Sequence, residues 1–335
     1  MALDAYGADG GPELVLEGAR LAAAGGVPVR LFGPASLTPA DGVELEPTTD
    51  WIGNEAEPVA AVRSTPEASV VRAAAAVAEG GCSSLVSAGS TGALMTAALF
   101  ALRRAKGVHR PALAVQIPVP GRDGPPLVLL DCGANTDVRP QHLIQFAFLG
   151  SAFSRAVLGT KSPRVALLSV GEEQKKGRAD VVEAHRALSG ADGIRFIGNL
   201  EGRDLLGDEA DVVVTDGFTG NVALKTLEGT ARAVAEAVRA AARSGPLASA
   251  GGLLLRPALG SLRGALDPNS VGGAILLGLR GVAVVAHGSS TPEGIANAVR
   301  LADRAVRERA VERTSELLES SGATREALRA EPAER

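Results

Sequence analysis

Five times along this chain of 335 residues, a short apolar run ends in a cluster of glycine and polar residues. The apolar runs lack polar alternation, which is typical of strands buried on both faces of a parallel sheet. Ligands of open α/β sheets bind outside the carboxyl ends of such strands. The pattern therefore predicts an enzyme in which five polar loops converge on one cleft. These loops are SAGSTG (87–92), DCGAN (131–135), GEEQKKG (171–177), DGFTGN (216–221) and AHGSS (286–290).

Helix-like segments follow most of the strands, and this alternation predicts the fold class. A βαβ series implies an α/β fold with a doubly wound, mainly parallel sheet, flanked by helices as an α/β/α sandwich. Helices are predicted over 12–25, 69–78, 93–107 and 292–318, whereas 34–65 has weak periodicity and is expected to be irregular. No composition break divides the chain. We therefore expect a single domain over residues 1–321 and a disordered tail over 322–335.

One segment departs from the alternation and predicts a helical excursion over about 230–268. Within it, Leu255, Leu259, Leu262 and Leu266 recur at helical spacing. Such a helical hairpin can be buried in a dimer interface or against the body of the protein. Alternatively, its leucines contact a membrane surface.

Composition excludes several classes of protein. The net charge of −4 argues against a nucleic-acid partner, because phosphate neutralisation needs a basic surface. Cys82 and Cys132 form no C-x-x-C pair, which fits a reducing cytoplasm and offers no zinc site. With only four histidines, a metal site is not expected either. No run approaches a membrane span and no signal peptide is recognised, so we expect a cytoplasmic protein.

Two of the polar loops are glycine-rich turns that open helices. Free backbone N–H groups at a helix start favour a phosphate or an oxyanion, although many such turns are simply helix caps. Lys225 lies one helical turn after the second loop, so its ammonium group can return to the cleft or remain in solvent. The candidate substrate-binding residues are Gly89, Ser90, Thr91 and Gly92 in the first loop, and Asp216, Gly217, Gly220 and Asn221 in the second.

The other three loops offer titratable and amide side chains. Asp131 follows a buried strand, where a carboxylate needs hydrogen-bond donors, so it has either an architectural or a site role. His287 at a strand end can act as acid or base near neutral pH, or can stabilise its own loop. Substrate contacts are also expected from Gly133, Ser289 and Glu172, the last of which can equally be solvated. Asn135 and His287 are candidates for hydrogen bonds to an attacking anion or a leaving group.

The motifs of common catalytic classes are missing. The sequence has no G-x-G-x-x-G or G-x-x-x-x-G-K-[ST] nucleotide fingerprint and no G-x-S-x-G nucleophile elbow. A cleft with N–H-rich turns, Asn, Lys and His but no evident protein nucleophile suits a reaction in which an anionic substrate attacks. Phosphate attacking a thioester is one such reaction. No cofactor is expected.

At these motifs the chain resembles the PlsX family, the phosphate acyltransferases of bacterial phospholipid synthesis. The resembling blocks run in the family's order over residues 1 to about 310. They are VSAGSTGALM, KGVHRPALA, LLDCGANTDVRPQHLIQFAFLG, VALLSVGEEQKKG, FIGNLEGRDLL, DVVVTDGFTGNVALKTLEG, GGAILLGLRGV and AHGSS. The resemblance implies transfer of an acyl group from acyl carrier protein to inorganic phosphate. The acyl phosphate produced would serve glycerol-3-phosphate acylation.

The resemblance also implies a setting for this activity. It implies a cytoplasmic homodimer that associates peripherally with the membrane, in reach of the membrane glycerol-3-phosphate acyltransferase, with no metal or nucleotide requirement. The implied fold is that of the isocitrate and isopropylmalate dehydrogenase group. Some positions depart from the family pattern: Ser90 replaces the asparagine of SAGNTG, and Val271, Ile275 and Arg280 alter YGGAPLLGLNG. Residues 65–69 lack the family's Lys-Asp-Ser-Ser, and Tyr6, Ala8 and Gly10 alter MGGD-x-GP.

A basic segment, RRAKGVHR (103–110), stands out in an acidic protein. Acyl carrier proteins are acidic, so Arg103, Arg104, Lys106 and Arg110 form a plausible docking surface by charge complementarity. The same residues also suit a helix carboxyl end. Other functions that the sequence leaves open are a phosphate acetyl- or butyryltransferase that uses coenzyme A, a decarboxylating dehydrogenase of the same fold, and a non-catalytic scaffold that binds acyl carrier protein.

Overall fold

A computed structural model gives the fold of the chain and describes residues 1–251, 253–255 and 270–330. Eleven strands within these ranges form one sheet. The strands are β1 (Ala2–Asp4), β2 (Val29–Gly33), β3 (Val43–Pro47), β4 (Ser84–Ser87), β5 (Ala112–Ile117), β6 (Leu127–Leu130), β7 (Arg164–Ser169), β8 (Arg195–Glu201), β9 (Val212–Val214), β10 (Ala274–Leu277) and β11 (Val282–Val285). The helices are α1 (Gly11–Ala24), α2 (Pro58–Ser64), α3 (Ser69–Ala78), α4 (Thr91–Leu102), α5 (Pro140–Ala156), α6 (Ala179–Ser189), α7 (Gly217–Ala242), α8 (Pro292–Arg307), α9 (Ala310–Ser320) and α10 (Arg325–Ala330).

The order of the strands is β3-β2-β1-β4-β11-β10-β5-β6-β9-β7-β8. The first five, from β3 to β11, are mutually parallel and are called the first group here. The last four, from β6 to β8, are also mutually parallel and form the second group. Between the groups, β10 pairs antiparallel with β11 and β5, and β5 pairs antiparallel with β6. Three successive reversals leave the two groups pointing in opposite directions.

Helices cover both faces of the sheet, which confirms the predicted α/β sandwich with a mainly parallel sheet. Apolar side chains of α1, α5, α6 and α8 pack on one face, where Phe146, Phe148 and Phe153 of α5 are fully buried. On the other face, α3 and α4 cover the first group, and α7 covers the second group through Leu224 and Leu227. The apolar strands are thus buried on both sides, as their lack of alternation indicates.

The segment 34–65 was expected to be irregular, and this prediction is wrong. It contains the edge strand β3, which pairs parallel with β2, and the short helix α2. The carboxylate of Glu57 caps α2 by accepting from the N–H of Val59 at 3.1 Å and of Ala60 at 2.6 Å, and Pro58 begins the helix. Both elements are too short for a periodic pattern to be visible in the sequence.

Two helix ends also differ from prediction, because single residues adopt the left-handed region. Helix α4 ends at Leu102 rather than at Gly107, since Arg103 has a φ of 61°. The helix predicted over 292–318 is two helices, α8 and α9, separated at Arg309, which has a φ of 53°. Neither arginine is a residue type that signals such a break.

Of the predicted disordered tail over 322–335, residues 331–335 lie outside the described residues, and the part before them is ordered. It forms α10, and the N–H of Arg325 donates to the carbonyl of Gly107 at 2.6 Å. The fully buried Gln145 donates to the carbonyls of both Gly107 and Ala323, at 2.8 and 2.9 Å. These bonds fasten the chain end to the loop after α4.

The predicted excursion over 230–268 is only partly described. Residues 230–242 continue α7 as one helix, and their side chains are largely exposed. Residues 246–251 and 253–255 are helical, and Leu253, Leu254 and Leu255 are exposed. Leu259, Leu262 and Leu266 lie outside the described residues. In the part of the chain that is described, no helix is long and apolar enough to cross a membrane.

Candidate active site

The opposite directions of the two strand groups decide where the polar loops lie. The loops SAGSTG and AHGSS follow β4 and β11, at the carboxyl ends of the first group; this is called the first edge. The loops DCGAN, GEEQKKG and DGFTGN follow β6, β7 and β9, at the opposite or second edge. A strand of four residues separates the two by about 13 Å, at ~3.3 Å per residue. The predicted convergence of all five loops on one cleft is therefore wrong within a single chain.

At the first edge, three loops contact one another through their backbones. The N–H of Ala286 donates to the carbonyl of Ser87, and the N–H of Asp9 donates to the carbonyl of Gly288 at 2.8 Å. Gly7 has a φ of 90°, and a Cβ added there would overlap the Cα of Gly89. Only glycine combines this conformation with so close an approach. The loop after β1, which the sequence did not single out, is thus part of this site.

A buried carboxylate holds the SAGSTG loop in place. Asp4, at the end of β1, accepts hydrogen bonds from the hydroxyls of Ser69 at 2.5 Å and Ser87 at 2.7 Å. The Ser87 hydroxyl in turn accepts from the N–H of Gly89 at 2.9 Å. Burial raises the pKa of Asp4, and the hydrogen bonds from Ser69 and Ser87 oppose that rise. Asp4 was missed in the sequence, although a carboxylate ending an apolar run is the same signal that drew attention to Asp131.

The start of α4 presents free backbone donors at this edge. Ser90 is the cap, and its hydroxyl accepts only a long hydrogen bond of 3.4 Å from the N–H of Ala93. The N–H groups of Thr91 and Gly92 have no acceptor among the described residues. Pro58 packs against Gly92, so that α2 borders the same turn. Unpaired N–H groups at a helix start are suited to an anion.

His287 lies next to this turn and is exposed. Its Nδ1 accepts from the N–H of Ser289 at 3.2 Å and lies 2.8 Å from the Ser289 hydroxyl. These contacts orient the ring, and they leave Nε2 without a hydrogen-bond partner among the described residues. The first edge therefore combines free N–H donors with an oriented imidazole.

The second edge is built differently, because its polar groups are already paired. Asp131 accepts from the N–H groups of Leu113, Ala134 and Asn135, at 2.7–3.0 Å, and from the Asn135 amide at 2.8 Å. The Asn135 amide also donates to the carbonyl of Pro111. Burial raises the pKa of Asp131, while the hydrogen bonds act against that rise. Within one chain, the Asp131 carboxylate and the Asn135 amide N–H groups are therefore engaged by the protein itself. Gly133 turns the chain between them with a φ of 125°.

The start of α7 likewise has few free donors. The N–H of Gly217 donates to the carbonyl of Asn135 at 2.7 Å, and Asp216 caps the N–H of Thr219 at 2.8 Å. Asp216 also pairs with Arg178 at 3.0 Å. A Cβ on Gly220 would overlap the carbonyl oxygen of Asp131, so this glycine serves close packing. Although its sequence matches the SAGSTG pattern, this turn does not offer the same anion site.

The remaining predicted residues of the second edge lie apart from one another. Lys225 pairs with Glu228 at 2.9 Å, one turn further along α7, rather than returning toward Asn221, whose side chain is exposed. Glu172 is exposed and lies 3.9 Å from Arg203. The exposed basic residues Arg103, Arg104, Lys106 and Arg110 follow the carboxyl end of α4. Arg280 joins them, because its Nε donates to the carbonyl of Arg104 at 3.1 Å.

Comparison with known proteins gives close relatives over most of the chain. A family profile described as "Fatty acid synthesis protein" matches residues 1–313. A phosphate acyltransferase of Elusimicrobium minutum is 46% identical over 271 residues, which are 81% of this chain and 78% of that protein. A phosphate acyltransferase of Lactococcus lactis is 42% identical over 308 residues, which are 90% of this chain and 92% of that protein.

Solved structures share the fold at low sequence identity. The EutD phosphotransacetylase from Staphylococcus aureus has a TM-score of 0.58 at 20% identity, with 91% of this chain and 93% of that chain covered. A branched-chain phosphotransacylase from Enterococcus faecalis has a TM-score of 0.61 at 16% identity, with 91% and 99% covered. At these identities the likeness concerns the fold alone.

Replacing Gly7 by alanine should disturb the first edge, and Gly26→Ala is its matched control. Both glycines have positive φ, at 90° and 85°, but a Cβ on Gly26 meets no atom within 4 Å. Backbone strain of about 1–2 kcal/mol is thus common to both variants. Only Gly7→Ala should also displace Gly89 and weaken phosphate binding, seen as a smaller rise of Tm with added phosphate. Equal phosphate responses in the two variants would contradict this role of the Gly7–Gly89 contact.

Proposed function

This chain belongs to the phosphate acyltransferase family, and we propose that it transfers a long-chain acyl group from acyl carrier protein to inorganic phosphate. Acyl transfer to phosphate is the activity of the family, so the chain is an enzyme of lipid biosynthesis. We infer that the reaction takes place at the first edge, around the start of α4.

The observation that carries this location is the pair of free N–H groups of Thr91 and Gly92 beside His287. In the proposed reaction, a phosphate oxygen attacks the thioester carbonyl carbon and forms a C–O bond. The tetrahedral oxyanion then collapses, the C–S bond breaks, and the leaving thiolate takes up a proton. The N–H groups bind anionic oxygen, and His287 donates a hydrogen bond from Nε2–H to the leaving sulfur. The proton that neutralises the thiolate comes from hydrogen phosphate, which becomes the acyl phosphate dianion. A well-aimed donor to an oxyanion contributes roughly 10²–10³ in rate.

No covalent enzyme intermediate is needed, because phosphate itself is the nucleophile. The protein then acts by holding phosphate and thioester in contact, which contributes roughly 7–11 kcal/mol to lowering the barrier. The Asp4–Ser87–Gly89 network supports such positioning, since it fixes the turn from which the donors project. Gly89, Ser90 and Ser289 line the same edge.

The test of this proposal is the formation of acyl phosphate, trapped with hydroxylamine, from long-chain acyl carrier protein and phosphate. Coenzyme A thioesters are the comparison, because an enzyme that prefers them as donors would be a phosphate acetyl- or butyryltransferase.

We expect His287→Ala to lower kcat by about 100-fold. Lys225→Ala should keep nearly full turnover, since Lys225 pairs with Glu228 on α7, away from the first edge. A loss in Lys225→Ala alone would move the chemistry to the second edge. Binding of acyl carrier protein without any acyl phosphate would instead indicate a scaffold.

We further propose that acyl carrier protein docks on the basic surface formed by Arg103, Arg104, Lys106, Arg110 and Arg280. This surface lies at the carboxyl end of α4, whereas the proposed chemistry lies at its start. Twelve helical residues separate the two by about 18 Å, at ~1.5 Å per residue. A thioester on a long prosthetic arm fits such a separation between docking and reaction.

Charge reversal separates this docking role from a local structural one. Arg103→Glu combined with Arg104→Glu should lower kcat/KM for acyl carrier protein at least tenfold at low salt, and the loss should shrink as salt is added. Arg195→Glu is the control, because Arg195 is exposed on the edge strand β8. An unchanged salt dependence of kcat/KM in the double variant would refute the docking surface.

The proposal includes a homodimer and a peripheral contact with the cytoplasmic membrane surface. Exposed apolar side chains on α7, namely Val222, Val234 and Val238, suit an interface with a second copy, which light scattering would detect as a doubled mass. The exposed Leu253, Leu254 and Leu255 suit insertion into lipid. A membrane contact would bring the acyl phosphate to a glycerol-3-phosphate acyltransferase in the bilayer.

The proposed membrane contact predicts that a charge at Leu254, which is 83% exposed, weakens binding to lipid. Leu254→Glu should reduce sedimentation with anionic phospholipid vesicles several-fold, because a carboxylate opposes insertion. Val170→Glu provides the control, since Val170 is 80% exposed and lies at the second edge. Acyl phosphate formation in solution should be unaffected in both. Equal vesicle binding by the two variants would exclude Leu254 from the contact.

A further inference from the structure

A cavity of about 340 Å³ opens beside the first edge and takes no part in the chemistry described above. One wall is the loop after β1, with Tyr6, Gly7 and Ala8, and it continues to Gly11 and Pro12 at the start of α1. The opposite wall is the loop that follows β3, from Trp51 to Asn54. The Tyr6 and Trp51 rings are stacked, with centroids 6.1 Å apart and an interplanar angle of 12°. The volume and the aromatic lining are typical of a small-ligand site.

Both walls lead directly to the proposed anion site. Gly7 in the first wall contacts Gly89, at the beginning of the SAGSTG turn. The second wall leads through Glu57 to Pro58, which packs against Gly92. The cavity is therefore bounded by the two segments that also border the first turn of α4. A ligand with an anionic head at Thr91 and Gly92 has this cavity beside it.

The chemistry of the cavity favours an apolar rather than an anionic occupant. Ile52 and Ala8 are buried in its walls, and Trp51 is 54% exposed although it is large and apolar. Burial raises the pKa of Tyr6, and the nearby carboxylates of Asp4 and Asp50 raise it further. No basic side chain is among the described residues that line the cavity, so a phosphate or carboxylate inside it would lack a cationic partner. A hydrocarbon chain carries no charge and gains by covering the exposed indole.

We propose that this cavity holds the acyl chain that extends from the reacting carbonyl and thereby sets the preference for chain length. The inference rests on the proposed function, because it assumes that the acyl group is transferred at the first edge. Trp51 is then a specificity residue rather than a catalytic one. Each methylene group that the cavity accepts raises affinity by about fourfold, until the cavity is filled.

Trp51 is the only tryptophan of the chain, so its fluorescence reports on this cavity directly. A series from butyl to hexadecyl phosphonate mimics the acyl phosphate and cannot be hydrolysed. Titration of the whole protein should shift the emission of Trp51 to shorter wavelength as the chain covers the indole. Affinity should rise with chain length and then level off. Binding in this assay does not depend on turnover.

Gly53→Leu is the variant that tests the location of the chain. A Cβ on Gly53 would lie 3.4 Å from the Trp51 ring, in a backbone conformation that does not require glycine, so a leucine side chain should narrow the cavity beside Trp51. It should lower kcat/KM at least tenfold for long acyl donors and leave short donors and the KM for phosphate unchanged. Gly190→Leu is the control, since Gly190 ends α6 and a Cβ there meets no atom within 4 Å.

The outcomes separate this inference from the proposed function. A loss in Gly53→Leu that is the same for short and long acyl groups would overturn it, and would assign the cavity to the carrier's prosthetic arm. An active enzyme in which alkyl phosphonates leave the Trp51 emission unchanged would also overturn it. Chain-length-dependent binding by a protein that forms no acyl phosphate would contradict the proposed function and keep the cavity as an alkyl site.

Discussion

Two strands in the middle of the sheet, β10 and β5, determine where every polar loop of this protein lies. Because each pairs antiparallel with its neighbours, the parallel groups on either side run in opposite directions. The carboxyl ends of the groups therefore face away from each other. Loops that look equivalent in sequence, such as SAGSTG and DGFTGN, become parts of two separate edges. This reversal determines which loops lie together, and the residues of each loop then determine what it can bind.

The two edges differ in how their hydrogen-bond donors are used. At the second edge, Asp131 and Asn135 are hydrogen-bonded to each other, and Asp216 caps the start of α7 through Thr219. These bonds stabilise the turn and leave few donors for a ligand. At the first edge, Asp4 stabilises the SAGSTG loop through Ser87, whose hydroxyl donates to Asp4 and accepts from the N–H of Gly89. The donors at the start of α4 stay free as a result. The two buried carboxylates thus differ in their partners: Asp131 binds donors of its own loop directly, whereas Asp4 binds the serine hydroxyls beneath the loop that it supports.

Much of the fold could be read from the sequence, because apolar runs and glycine turns report on local burial. The sequence could not show which loops lie together at each edge, because strand order and direction arise from long-range pairing that no local pattern records. The same limit explains Asp4, whose partners Ser69 and Ser87 are 65 and 83 residues away. Lys225 is a different case, because its ammonium group pairs with Glu228 three residues further along the same helix, and the sequence offered that local partner as readily as the cleft. Arg103 and Arg309 ended helices in a conformation that arginine rarely adopts.

The length of α7 has a consequence for how an acyl product would leave. This helix starts at the second edge and crosses the sheet toward the first, over about 39 Å for its 26 residues, at ~1.5 Å per residue. The strands beneath it are far shorter, so its last turns stand clear of the body, with side chains exposed on all sides. The exposed Leu253, Leu254 and Leu255 follow these turns along the chain. With the membrane contact proposed above, the acyl phosphate would be released close to the bilayer and would not have to cross bulk water.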